Sequence, residues 1–119
     1  MKSDVQQFMA LLFLSRDVSH KAHLNTDSYA EHMALGGFYE EIITLADSFA
    51  EAWMGRNAKR IGDLPDLKNP KGDIAKILKV HLEIIEETRD FVGKDTSLNN
   101  IIDEIVALYL STLYKLTLK

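Results

Sequence analysis

Histidine is scarce in this chain, and three of its four histidines fall within thirteen residues: His20, His23 and His32. Asp47 and Glu51 follow, four residues apart, a spacing that points two carboxylates from one face of a helix. Imidazole and carboxylate together form a ligand set suited to iron, manganese or zinc. There is no cysteine, so disulfides and thiolate metal sites are excluded. Ligand histidines must be neutral, so binding at such a site is expected to weaken as the pH falls toward ~6.

Helix geometry constrains how these residues meet. His32 and Asp47 are fifteen residues apart on what should be one helix. At the rise of an α-helix that separates them by roughly 22 Å, so one straight helix cannot bring both to one metal. They lie about 60° apart around the axis, on the same broad face. Two such helices packed antiparallel across a two-fold axis would set His32 of one chain beside Asp47 and Glu51 of the other. That arrangement builds two equal sites at once.

The elements that must position these residues are helices. Only six glycines and two prolines occur, placed where four helices need stops, and no alternating β-branched run is present. The spacing of Val5, Phe8, Met9, Leu12 and Val18 predicts a helix from about Ser3 to about His23, with Leu11, Phe13 and Leu14 widening the stripe. Asn25–Ser28 breaks it, and Ser28-x-x-Glu31 fits a capping box. A longer helix then runs to about Met54 with Gly55 as its stop, its apolar face including Tyr29, Met33, Phe38, Ile42, Leu45, Phe49 and Trp53. Gly36 and Gly37 sit inside it. Each costs ~1 kcal/mol against alanine, so the pair implies a close approach or a kink.

Asn57–Asn69 reads as a connection, with Asn69-Pro70 opening a third helix that ends near Gly93. Thr96-Ser97 is expected to cap a fourth. That helix is the most apolar segment, nearly uncharged from Val106 to Tyr114, as expected of one buried on more than one side or at a subunit interface. The expected fold is all-α, one antiparallel four-helix domain over 1–119 with a longer crossover in the middle.

The stretch His20–Glu51 resembles the ferroxidase segment of Dps-like mini-ferritins. In that family a histidine ending the first helix is followed by a second after twelve residues, an aspartate after fifteen more and a glutamate after four more. His20, His32, Asp47 and Glu51 reproduce these spacings. His23 is the rival first ligand, because His23-Leu24-Asn25 is similar to the family's His-Trp-Asn; the choice between His20 and His23 stays open. The resemblance implies a ferritin-like bundle and non-haem iron, or another divalent metal such as zinc or manganese, held by His20, His23, His32, Asp47 and Glu51. It also implies ferroxidase chemistry at an inter-subunit site, and a homodimer through an antiparallel helix pair or a larger cage. Departures are visible. Lys21 stands where the family has tryptophan, and Ala52 where it often has arginine.

Other residues point elsewhere. His81 lies on the apolar face of the third helix and is expected to be a hydrogen-bonded core or interface histidine. Glu83, Glu86, Glu87 and Asp90 are only loosely similar to the magnesium-binding pairs of all-helical nucleotide pyrophosphohydrolases. No Glu-x-x-His pair, phosphate-cradling glycine loop or nucleophile–base–acid set is present. The net charge of −4 disfavours a nucleic-acid partner. The apolar run Phe8–Leu14 lacks the flanks and cleavage site of a signal peptide, and no run approaches a membrane span, so a cytoplasmic location is expected. The alternative function is a non-enzymatic helical bundle that uses its apolar faces for assembly or partner binding.

Overall fold

The computed structural model describes residues 2–118 and places four α-helices there, with no strand among the described residues. They are α1 (Asp4–Asn25), α2 (Tyr29–Asn57), α3 (Ile74–Thr88) and α4 (Thr96–Leu116), with one turn of 3-10 helix, Arg89–Val92, after α3. The domain measures 45 × 27 × 22 Å. Its long axis matches α2, whose 29 residues span about 44 Å.

Side-chain caps set the helix starts. Ser3 and Gln6 form a reciprocal capping box: the Gln6 amide donates to Ser3 Oγ, and the Ser3 amide donates to Gln6 Oε1 at 2.8 Å. Ser28 accepts from the Glu31 amide, Asp73 from Lys76 and Asp95 from Leu98. Aspartate therefore caps where Asn69-Pro70 and Thr96-Ser97 were expected to. The chain at Asn69-Pro70 remains extended, and α3 begins only at Ile74. α2 runs through Gly55 to Asn57 and stops at Ala58, which adopts the left-handed conformation at φ 53°. Past α3, Gly93 turns the chain at φ 64°.

Cross-contacts fix the direction of each helix. α1 and α2 form an antiparallel hairpin. The sixteen residues between α2 and α3 then climb back alongside α1: Gln6 Nε2 donates to the Ile61 carbonyl, and Asn69 Nδ2 to Asp17. α3 therefore descends beside α1, parallel to α2. Arg56 near the end of α2 binds Asp95 at the start of α4, so α4 rises against α2. Two antiparallel hairpins joined by a parallel crossover make the bundle.

The core is the sum of the inner stripes. Val5, Phe8, Met9 and Leu12 from α1 meet Phe38, Ile42 and Phe49 from α2, Leu78 and Ile85 from α3, and Ile102, Ile105 and Tyr109 from α4. Phe8 packs on Phe49 at 4.8 Å and on Phe91 at 5.4 Å between ring centroids. Truncating a side chain such as Phe49 to alanine would cost about 3–5 kcal/mol. Tyr29 and Met33, expected on the buried face, are exposed instead. No helix among the described residues is long and apolar enough to cross a membrane.

Candidate functional site

His20, His23 and His32 do come together, and each has a visible task. The hairpin turn lays the last turns of α1 against the first turns of α2. There His23 and His32 stack with centroids 3.8 Å apart, and His20 stacks on Tyr39 at 4.0 Å with planes 7° apart. His23 Nδ1 lies 2.6 Å from the His32 carbonyl, and His32 Nδ1 lies 2.8 Å from the His23 carbonyl. A carbonyl only accepts, so both Nδ1 atoms carry protons and donate. The His23 carbonyl belongs to the last turn of α1 and has no helical donor of its own, so His32 caps it. The Arg16 guanidinium sits 5.9 Å from the centre of the Tyr39 ring, at the end of this row.

Gly36 completes the arrangement. A Cβ on it would stand 3.0 Å from His23 Cε1 and 3.2 Å from His23 Nδ1. The glycine is the seat of the imidazole, which accounts for half of the Gly36-Gly37 pair. A Cβ on Gly37 would meet nothing within 4 Å.

Asp47 and Glu51 do not join the histidines. Both are exposed on the outer face of α2, about four turns below His32. Among the described residues no group of three or more histidines and carboxylates is placed to hold a metal ion. Within one chain, two of the imidazoles expected as ligands spend their Nδ1 protons on holding two helices together. Glu83, Glu86, Glu87 and Asp90 are likewise exposed.

A second polar cluster lies in the core, and it joins residues far apart in sequence. Tyr109 donates its hydroxyl to Ser15 Oγ at 2.6 Å, and Ser15 Oγ lies 2.7 Å from His81 Nδ1. Burial holds the His81 imidazole below its ordinary pKa and pushes the Tyr109 phenol up. A neutral His81 accepts the Ser15 proton, and the chain Tyr109→Ser15→His81 is then satisfied. A serine beside an imidazole suggests a nucleophile and its base. Here Ser15 is fully buried, and Tyr109 already occupies its oxygen. His81 is the hydrogen-bonded core histidine expected from its position; Ser15 and Tyr109 were not singled out beforehand. The only signal was Ser15 itself, a hydroxyl on the apolar stripe of the first helix.

The outward face of α4 is the third feature. Leu110 and Tyr114 on this face, and Leu118 in the turn just past its end, are 54%, 65% and 60% exposed. Ala107 and Ser111 lie exposed between them. Toward α2 this face borders a shallow groove of about 370 Å³, lined by Glu41, Leu45, Glu104, Ala107, Leu108 and Ser111.

By its architecture the protein is an all-helical bundle with a half-buried histidine cluster, a buried polar cluster and an exposed apolar stretch on α4. Residues 23–116 match the Family of unknown function (DUF5856), and the chain belongs to that family. It is similar to an uncharacterized 14.6 kDa protein of the mobD–ri intergenic region of Enterobacteria phage T4, with 24% identity over 119 residues, covering 98% of this chain and 91% of that protein. No solved structure matches the chain. Family membership corrects the resemblance to Dps-like mini-ferritins. The spacings of His20, His32, Asp47 and Glu51 coincide with that family's pattern, but neither the family match nor the relative leads to ferritin-like proteins.

Proposed function

We propose that this protein is a non-enzymatic helical bundle that works by contact, docking a protein surface through the outward face of α4. The observation that carries this reading is the exposure of Leu110 and Tyr114, with Leu118 just past the helix end, on a face with no charged residue between Glu104 and Lys115. A solvated helix face is normally rich in charge, whereas an exposed apolar patch marks a contact site. Tyrosine is also enriched at the centres of protein interfaces. The polar clusters support the same reading. His23, His32 and Gly36 join α1 to α2, and Ser15, His81 and Tyr109 are buried and hydrogen-bonded to one another, so these chemically capable side chains are occupied in holding the bundle.

Photo-crosslinking tests the reading. A benzophenone amino acid is placed at Tyr114, or at Asp47 on the exposed face of α2, in the full chain expressed in cells. Discrete protein adducts from position 114 and none from position 47 are expected. Equal labelling at both positions, or none at 114, would sink the assignment of α4 as the contact face.

A further inference from the structure

We infer that the partner of α4 is a second copy of this chain, with the two α4 helices antiparallel about a two-fold axis between Leu110 and Ser111. This rests on the contact reading above and names its partner. The outward face alternates large and small residues: Ala107, Leu110, Ser111 and Tyr114. Reversal about that axis lays Tyr114 over the partner's Ala107 and Leu110 beside the partner's Ser111, and symmetry repeats both contacts. A parallel pair would set Tyr114 against the partner's Tyr114 and Ala107 against the partner's Ala107, giving a clash at one level and a gap at another.

Charge favours the same direction. From residue 104 to residue 118 the only charged side chains are Glu104 and Lys115. They are eleven residues apart, about three turns, so they share the edge of α4 that borders the α2 groove. Neither takes part in any of the ion pairs seen among the described residues. The antiparallel arrangement brings Lys115 beside the partner's Glu104, offset by roughly 3 Å along the axis, and does so twice. In a parallel pair the two-fold axis runs along the helices and puts this edge of the two copies on opposite sides of the seam, so Lys115 would meet no partner Glu104. Asp103 lies on the same face, one turn before Ala107, and is already bound by Arg89 of its own chain at 2.7 Å, so its charge is matched before any partner arrives.

Sedimentation equilibrium on the full chain up to several hundred micromolar tests the pairing, using wild type, Tyr114→Glu, Glu104→Lys, Lys115→Glu and the Glu104→Lys/Lys115→Glu double variant. All the substituted positions are exposed, and far-UV circular dichroism checks that each variant folds. Wild type should form a dimer, and Tyr114→Glu should be a monomer. Each single charge reversal should weaken association ~10-fold at low salt, and the double reversal should restore most of the loss. A monomeric wild type, a dimer indifferent to Tyr114→Glu, or single losses that the double variant does not recover would each overturn the antiparallel pair. The crosslink at position 114 separates this outcome from failure of the contact reading. An adduct at twice the chain mass supports self-pairing. An adduct of any other mass overturns self-pairing and leaves α4 as a docking face, and no adduct removes both.

Discussion

His23 and His32 exchange hydrogen bonds: each imidazole Nδ1 donates to the other residue's main-chain carbonyl, at 2.6 and 2.8 Å, across stacked rings. The pair fastens the end of α1 to the start of α2. Each of His23→Ala and His32→Ala is expected to lower stability by about 1–2 kcal/mol, for one hydrogen bond and the shared ring contact. Both single variants lose the same stacking, so the double variant should cost less than the sum by ~0.5–1 kcal/mol. A double-mutant cycle in urea reads the coupling, and strict additivity would show that the two rings act separately.

The neighbouring glycines should respond in opposite senses. Gly37→Ala meets open space and should gain about 0.5–1 kcal/mol from helix propensity. Gly36→Ala gains the same propensity but drives a Cβ into the His23 ring, so a net loss of about 1 kcal/mol or more is expected. Thermal melts of the two variants decide it; a gain in both would remove the role of Gly36 as a seat.

His81 ties stability to pH. Desolvation lowers its pKa in the folded protein, so below the ordinary value of 6.5 the unfolded chain binds the proton more readily. The contribution is fully present above pH ~6.5 and is lost as the pH falls through that value toward the folded-state pKa. Urea midpoints measured from pH 7.5 to 5 should fall more steeply for wild type than for His81→Gln. Parallel curves would mean that His81 is free to take up its proton in the fold.

Ala58 is the only non-glycine residue with positive φ among the described residues. Left-handed backbone costs an L-residue roughly 1–2 kcal/mol, a penalty glycine escapes. Ala58→Gly is therefore expected to stabilise the protein by about 0.5–1 kcal/mol after glycine's larger unfolded-state entropy is counted. Equilibrium denaturation checks it.

Much of this fold was legible in the residues. The stripe through Val5, Phe8, Met9 and Leu12 and the cap at Ser28 follow from local periodicity and hydrogen-bonding chemistry, and the structure contains both. The stop at Gly55 was misread because one glycine costs too little to end a long, well-packed helix. Asn69-Pro70 was misread because the crossover needs length to climb alongside α1 before α3 can start. The histidine cluster was legible as a cluster but not as a task. Spacing along a helix shows which side chains share a face, whereas the use of an imidazole nitrogen depends on the carbonyl that the neighbouring helix presents. Tyr29 and Met33 lie outside the core because they fall on the far side of α2 from its buried stripe: Met33 is nine residues before Ile42 and Tyr29 nine before Phe38, each about half a turn round the helix, while Ala34 and Leu35 beside them are buried.

The contact of Ser15, His81 and Tyr109 has a consequence for how the chain finds its final alignment. The three residues come from α1, α3 and α4, and so from both hairpins. Apolar stripes alone tolerate sliding: one helix moved a full turn, about 5.4 Å, past another still buries leucine against leucine. Here such a slip would strand a serine, an imidazole and a phenol in apolar surroundings with no partner, at about 1–3 kcal/mol for each orphaned group. The polar triad thus acts as an indexing notch. It rejects near-miss packings while the two hairpins dock, and it selects one vertical setting from several that greasy surfaces would accept.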